Sequence, residues 1–173
     1  MGFQSKTVCK GLSLQLVIFV LCTNTGHMVT GSDVCNMNWL FFFQNVMDVL
    51  TIQPSESGQI VVEPFDYDAS SPQLFGIECG SKPGLFYIVH NVTGQVLDIE
   101  RDSPHHVIVA SIDDESLWQQ WFVDYQNRRV TNAVTRFVLA IEDSNFVPGA
   151  AVVVEPQSEE ITPNQLWIVT EYE

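Results

Sequence analysis

A repeated motif, a glutamine two residues before an aromatic residue, divides most of this chain into three units. The aromatic residues are Phe75, Trp121 and Trp167, and successive ones are 46 residues apart both times. Residues 86–100 (FYIVHNVTGQVLDIE) also align without a gap on residues 128–142 (RRVTNAVTRFVLAIE). A repeat of this length indicates one supersecondary unit copied along the chain. The three units span about residues 37–78, 84–124 and 127–171.

Each unit has the pattern of several short β-strands. The β-branched runs at residues 60–62, 107–109 and 152–154 are bounded by Gly, Pro, Asp or Ser, which favour turns. No stretch within the units has a convincing helical period. Three copies of a four-strand unit fit a closed threefold barrel, because closure removes exposed sheet edges, whereas a propeller needs about four blades or more. The sequence therefore predicts an all-β fold.

The chain is acidic but otherwise has the composition of a globular protein. It contains 21 Asp and Glu residues against 7 Lys and Arg, for a net charge of −14. Such a surface repels phosphate backbones and anionic lipids, so nucleic acid and anionic membranes are poor candidate partners. Four cysteines, without a CxxC motif or zinc-ligand spacing, support neither a disulfide scaffold nor a structural metal. We expect no metal and no cofactor.

The first 36 residues match none of the units, so we assign residues 1–36 to an N-terminal extension and residues 37–173 to the folded domain. Two lysines and an apolar run at residues 12–22 precede the acidic body. This order is typical of a secretory signal ending near Gly26, and the run is too short for a membrane span. The alternative is a mispredicted translation start. A cleaved signal would make the protein secreted and would allow Cys35 to pair with Cys79; otherwise the protein is cytoplasmic.

The repeated motifs resemble those of the ricin B-chain-like β-trefoil lectins, which carry a [VL]-[LM]-D-[VI] strand and a Q-x-W strand in each of three repeats. Here the first motif is found as VMDV at 46–49, VLDI at 96–99 and VLAI at 138–141. The resemblance covers about residues 38–172 and implies a β-trefoil of three pseudo-repeats. Residues 38–44 (NWLFFFQ) depart from the pattern, because they do not match the opening strand of the second unit at 86–89.

The resemblance also implies where sugar would bind. In those lectins the Asp of the first motif accepts hydrogen bonds from sugar hydroxyls, an aromatic residue stacks on the sugar face, and an Asn before Q-x-W completes the site with its Gln. No repeat keeps the whole set here, because Ala140 replaces the Asp in repeat three and only repeat three keeps the Asn. The candidate sugar-binding residues are Asp98, Asp48, Gln119, Gln73, Trp118, Tyr67 and Asn164.

The aromatic residue and the glutamine of each Q-x-aromatic motif also have a structural interpretation. Phe75, Trp121 and Trp167 are predicted to fill the core in threefold-related positions. The neighbouring glutamines are expected to tie the barrel backbone, since buried amides need hydrogen-bond partners. Asp98 is therefore the first choice as a ligand residue and Asp48 the second, with Phe65 and Tyr67 beside Asp48 as a displaced aromatic plate.

We expect a non-enzymatic protein that binds glycans through degenerate sites in repeats one and two. The sequence lacks GxSxG and HExxH motifs. Apart from His27 in the extension, its histidines fall on a strand (His90) or at a hairpin tip (His105 and His106), where they are expected to be structural or solvated. The alternative is a β-trefoil protease inhibitor that presents a rigid exposed loop to a protease. Residues 66–72, 113–118 and 157–163 are the candidate inhibitory loops.

Overall fold

The structure, a computed structural model, describes residues 39–47, 50–68, 70–102 and 105–172. These residues form twelve short β-strands and three 3₁₀ turns. The strands are β1 (Leu40–Asn45), β2 (Leu50–Pro54), β3 (Ile60–Pro64), β4 (Phe75–Cys79), β5 (Phe86–His90), β6 (Val96–Ile99), β7 (Val107–Ala110), β8 (Trp121–Asp124), β9 (Arg129–Asn132), β10 (Val138–Ile141), β11 (Val152–Glu155) and β12 (Trp167–Glu171). The 3₁₀ turns are Leu117–Gln119, Glu142–Ser144 and Pro163–Gln165. The predicted all-β class is confirmed.

Six of the strands form a closed barrel. β1 pairs with β4 and β12, β4 with β5, β5 with β8, and β8 with β9, all antiparallel. The circle closes at the starts of β9 and β12, where the Trp167 amide donates to the Arg128 carbonyl at 2.7 Å. Each of the six strands therefore has a neighbour on both sides, and the barrel offers no free edge to another chain.

The other six strands form three hairpins, β2–β3, β6–β7 and β10–β11. The hairpins contact each other through three isolated bridges, one for each pair of repeats. These bridges are Gln59–Ile108, His106–Val153 and Val61–Ala151. One hairpin for each pair of barrel strands, repeated around a threefold axis, is the β-trefoil architecture that the sequence predicts.

The core is built around the three repeated aromatic residues. Phe75, Trp121 and Trp167 begin β4, β8 and β12 and are 0%, 0% and 1% exposed. The indole Nε1 of Trp121 donates to the Leu97 carbonyl at 3.1 Å, and that of Trp167 donates to the Leu139 carbonyl at 2.9 Å. Burial of each of these side chains contributes about 2–3 kcal/mol to stability. The prediction that they fill threefold-related core positions is confirmed.

The first repeat follows the other two more closely than its sequence indicates. Residues 38–44, whose sequence does not match the opening strand of repeat two, supply most of β1. Gln44 pairs with Thr51 in the same way that Val89 pairs with Val96. Thr51, rather than Val46, is therefore the counterpart of Val96, and the VMDV segment precedes β2 instead of forming it. The segment that departs most in sequence therefore still supplies the opening strand of its repeat.

The predicted N-terminal extension, residues 1–36, lies outside the described residues, together with the predictions made for it. Cys79, at the end of β4, forms a disulfide bond, and its predicted partner Cys35 is also outside the described ranges. Within those ranges no helix has the length and hydropathy that crossing a bilayer requires.

Candidate functional site

Each repeat contains a buried glutamine that connects its Q-x-aromatic strand to the loop after the repeat's third strand. Oε1 accepts a backbone N–H bond from Asp66, Asp113 and Ser158 in the three repeats, at 2.8, 2.8 and 3.0 Å. Nε2 donates to the carbonyls of Pro64, Ser111 and Pro156, at 2.8, 3.0 and 3.0 Å. These bonds satisfy amides that are 1–3% exposed, which is the structural role that the sequence favoured for Gln73, Gln119 and Gln165.

The second acceptor of each glutamine Nε2 group differs between the repeats. It is Gln53 Oε1 at 3.2 Å in repeat one, Asp98 Oδ2 at 3.0 Å in repeat two, and Glu155 Oε1 at 2.8 Å in repeat three. An oxygen acceptor thus faces the glutamine in every repeat. It comes from the second strand of the unit in repeats one and two, and from the third strand in repeat three.

Asp98 in repeat two is a nearly buried carboxylate, with 7% of the residue exposed. Its Oδ1 accepts from the Ile99 amide at 2.6 Å and from Arg101 Nη1 at 2.7 Å. Its Oδ2 accepts from Gln119 Nε2 alone among the described residues. A carboxylate has about four acceptor positions, so the protein fills three and leaves about one, on Oδ2.

Arg101 joins Asp98 to Trp118. The guanidinium Cζ lies 4.5 Å from the centroid of the Trp118 ring, and Nη1 also donates to the Ile99 carbonyl. The Arg101 side chain is 47% exposed, against 10% for Asp98, so the ion pair reaches solvent through the arginine. The guanidinium covers a face of Trp118, which places this ring as a support for Arg101. Sequence reasoning selected Trp118 but missed Arg101, although its position three residues after Asp98 was a readable signal.

The structure corrects the predicted equivalence between Asp48 and Asp98. Gln53 pairs with Val61 as Asp98 pairs with Ile108, and the two pairs occupy matching places in their hairpins. Gln53 therefore stands where Asp48 was expected, and Asp48 itself lies outside the described residues. The short VMDV segment resembles VLDI but is displaced from the true register by five residues.

Repeat three obtains its carboxylate from the other strand of its hairpin. Ala140 occupies the place of Asp98, and Glu155 on β11 faces the glutamine instead. Asn164 Nδ2 donates to Glu155 Oε1 at 2.8 Å and to the Ile141 carbonyl at 3.2 Å. Both amide hydrogens of Asn164 are thus used within the protein, and the residue is 4% exposed.

Tyr67 belongs to an aromatic cluster with Phe42, Phe65 and Tyr172. Its ring centroid lies 5.0 Å from that of Tyr172 and 5.8 Å from that of Phe42. Phe42 is fully buried, whereas Phe65 is 37% and Tyr67 55% exposed. The cluster therefore exposes part of its aromatic surface to solvent beside repeat one. Its predicted contact with Asp48 falls outside the described residues.

Two of the histidines hold neighbouring segments together. His90 is 3% exposed and its Nε2 lies 3.0 Å from the Pro72 carbonyl, in the preceding repeat. Burial lowers the pKa of His90. His106 lies between Glu100 of its own repeat and Glu142 of the next, at 3.3 and 3.6 Å. No group of three or more His, Cys, Asp and Glu side chains in the described part of the chain is arranged to hold a metal ion.

No protein-family model matches this sequence, and no curated protein matches it either. Solved structures do match the fold. The designed threefold-symmetric protein ThreeFoil has a TM-score of 0.66 at 17% identity, over 76% of this chain and 97% of that one. The C-terminal half of an earthworm R-type lectin, in complex with GalNAc, has a TM-score of 0.62 at 16% identity, over 77% and 98% of the two chains. A ricin B-like lectin of Macrolepiota procera, in complex with lactose, has a TM-score of 0.61 at 18% identity, over 76% and 94%.

The fold is that of the ricin B-like β-trefoil lectins. Toxin structures share it as well, including a mosquitocidal holotoxin, with a TM-score of 0.64 at 18% identity over 76% of this chain and 17% of that one. At these identities the likeness establishes the β-trefoil fold alone. What this β-trefoil binds has to be argued from its own side chains.

Proposed function

We propose that this β-trefoil binds carbohydrate through repeat two, with Asp98 as the acceptor of a sugar hydroxyl. The observation that carries the proposal is the state of the Asp98 carboxylate. Two protein donors hold Oδ1, which fixes the carboxylate in place, while Oδ2 has a single donor among the described residues. A fixed carboxylate with an unfilled acceptor position is suited to a hydroxyl donor, and hydrogen bonds to charged groups are stronger than neutral ones.

The comparisons support the choice of ligand class. The earthworm and Macrolepiota lectins of the same fold were solved with GalNAc and with lactose. Both ligands are sugars with several free hydroxyls, the group that a carboxylate acceptor recognises.

The contacts favour repeat two over the other repeats. In repeat one the position of Asp98 holds the neutral Gln53, and Pro72, which precedes Gln73, has no side-chain donor. In repeat three Ala140 holds that position, the Glu155 carboxylate comes from the other strand of the hairpin, and Asn164 has no amide hydrogen left for a ligand. Of the two sites expected from the sequence, we therefore propose the one in repeat two.

Asp98→Asn is the variant that tests this proposal. The change replaces a carboxylate oxygen with an NH₂ group, which donates where an acceptor is needed. We expect affinity for lactose or N-acetylgalactosamine to fall about tenfold or more, which is the value of a charge-assisted hydrogen bond. The measurement is calorimetric titration of the full chain, well below the unfolding temperature of each variant. Asp102→Asn is the matched control, since it removes an exposed carboxylate four residues away.

Three results would contradict the proposal. Normal sugar binding by Asp98→Asn would make Asp98 a structural residue only. Equal losses in Asp98→Asn and Asp102→Asn would indicate a general effect of charge. Inhibition of a protease by the wild-type protein, without glycan binding, would favour the inhibitor alternative.

A further inference from the structure

Arg101 takes over in repeat two the contacts that an asparagine makes in repeat three. Asn164 donates to the Ile141 carbonyl and to a carboxylate, that of Glu155. Arg101 Nη1 donates to the Ile99 carbonyl and to a carboxylate, that of Asp98. Ile99 and Ile141 are counterparts, because each is the last residue of its hairpin's first strand and pairs with the first residue of the second. The two donors therefore serve equivalent places in the two repeats.

Arg101 has side-chain N–H donors that contact no protein acceptor in the described part of the chain, whereas both side-chain amide hydrogens of Asn164 are used. A guanidinium has five N–H donors in a planar fork, and the contacts of Arg101 with the described residues use Nη1 only. Nε and both hydrogens of Nη2 have no protein acceptor among those residues. These unpartnered donors form the open edge of the guanidinium, and 47% of the Arg101 side chain is exposed to solvent.

We propose that Arg101 is a ligand-binding residue of repeat two that, together with Asp98, selects neutral sugars with two adjacent free hydroxyls. This inference rests on the proposed function. One hydroxyl donates to the free position of Asp98 Oδ2, and its neighbour accepts from the open edge of the guanidinium. Stacking on Trp118 holds the guanidinium in place, so Trp118 acts by positioning Arg101.

The charge around the site favours a neutral ligand over an acidic one. Glu100 and Asp102 flank Arg101 in the sequence, and the loop whose amide binds Gln119 carries Asp113 and Asp114. The whole chain has a net charge of −14. The field of these carboxylates opposes the approach of a carboxylated or sulfated sugar, although a guanidinium alone would suit one.

The experiment titrates the full chain with methyl glycosides of galactose, glucose and mannose, and then with deoxy analogues of the best binder that lack one hydroxyl of an adjacent pair. Arg101→Ala should weaken binding about tenfold or more, as expected for the loss of a charge-assisted hydrogen bond. The affinity of Arg101→Lys should lie between those of the wild-type protein and Arg101→Ala, because an ammonium keeps the charge but lacks the planar fork. Arg136→Ala is the matched control, since the Arg136 guanidinium also lies over an aromatic ring, 5.1 Å from Phe122, outside the site.

Two results would support the inference. Arg101→Ala should bind the sugar more weakly while its melting temperature stays unchanged, and the wild-type protein should bind a deoxy analogue more weakly than the parent glycoside. Unchanged or tighter binding by Arg101→Ala, while Asp98→Asn still loses affinity, would overturn the role of Arg101 and leave the proposed function standing. Wild-type affinity in Arg101→Lys would overturn the role of the fork, and a preference for uronate or sulfated glycosides would overturn the selection of neutral sugars. Absence of binding to every glycoside would refute the proposed function itself.

Discussion

His90 illustrates how one residue position connects successive repeats. His90 is the last residue of β5, the opening strand of repeat two. The last residues of the other two opening strands, β1 and β9, are Asn45 and Asn132, which are 2% and 0% exposed. Asn132 Nδ2 donates to the Trp118 carbonyl at 2.8 Å, as His90 Nε2 contacts the Pro72 carbonyl at 3.0 Å. Each contact ties the end of an opening strand to the residue before the glutamine of the preceding repeat. The fold therefore accepts either an amide or an imidazole in this place.

The choice of an imidazole makes stability depend on pH. Burial lowers the pKa of His90, against the opposing effect of its Pro72 hydrogen bond. The unfolded chain, with a histidine pKa of about 6.5, then binds more protons than the folded chain as the pH falls below that value. We expect the melting temperature to fall between about pH 7 and pH 5, and His90→Asn to remove part of this loss because asparagine already serves the other two repeats.

Thermal unfolding at several pH values checks this prediction for both proteins. His105→Asn, at a hairpin tip with φ of 63°, is the matched control, because asparagine tolerates that backbone conformation. If the melting temperature of His90→Asn fell with pH as much as that of the wild-type protein, other titrating groups would be responsible for the fall.

At the scale of the strand, the starts of β4, β8 and β12 differ in their aromatic residue. Phe75 shows that the fold accepts a phenyl ring where repeats two and three have indoles. Trp121→Phe should therefore fold, but with a stability lower by about 1–3 kcal/mol, because the Leu97 carbonyl loses its indole donor and a small void remains. Denaturant unfolding measures the difference, with the partly exposed Trp118→Phe as control. An equal loss in the two variants would argue against a special role for the buried indole.

The same scale separates what the sequence could predict from what it could not. The spacing of the Q-x-aromatic motifs gives the threefold core, because those residues are buried in every repeat. The register of β2 was missed, because a four-residue match such as VMDV carries less information than strand pairing, which sets the side-chain alternation. Arg101 and Glu155 were missed as partners of the buried polar groups, because their contacts depend on that register and on which face of the hairpin they occupy.

For the whole molecule, the differences between the repeats limit the number of ligands. Only repeat two has a carboxylate at the hairpin position of Asp98, since Gln53 and Ala140 occupy that position in the other two repeats. We expect a titration stoichiometry of about one sugar per chain and no cross-linking of multivalent glycans, since avidity requires several sites on one particle. Calorimetry and a precipitation assay with a multivalent glycoconjugate measure the two quantities. A stoichiometry near three would show that the other repeats bind as well.

The pairing of β1 with β12 has a consequence for chain order. These strands lie side by side from Phe41–Glu171 to Asn45–Trp167, in the same way that β4 lies beside β5 and β8 beside β9. Every junction between repeats is thus the same kind of antiparallel pair, whether or not the backbone runs through it. A circular permutant that begins at β5 and ends at β4, with β12 joined to β1, would form the same strand pairs. Any of the three repeats could therefore come first along the chain, provided that their cyclic order is kept, because their contacts close a circle.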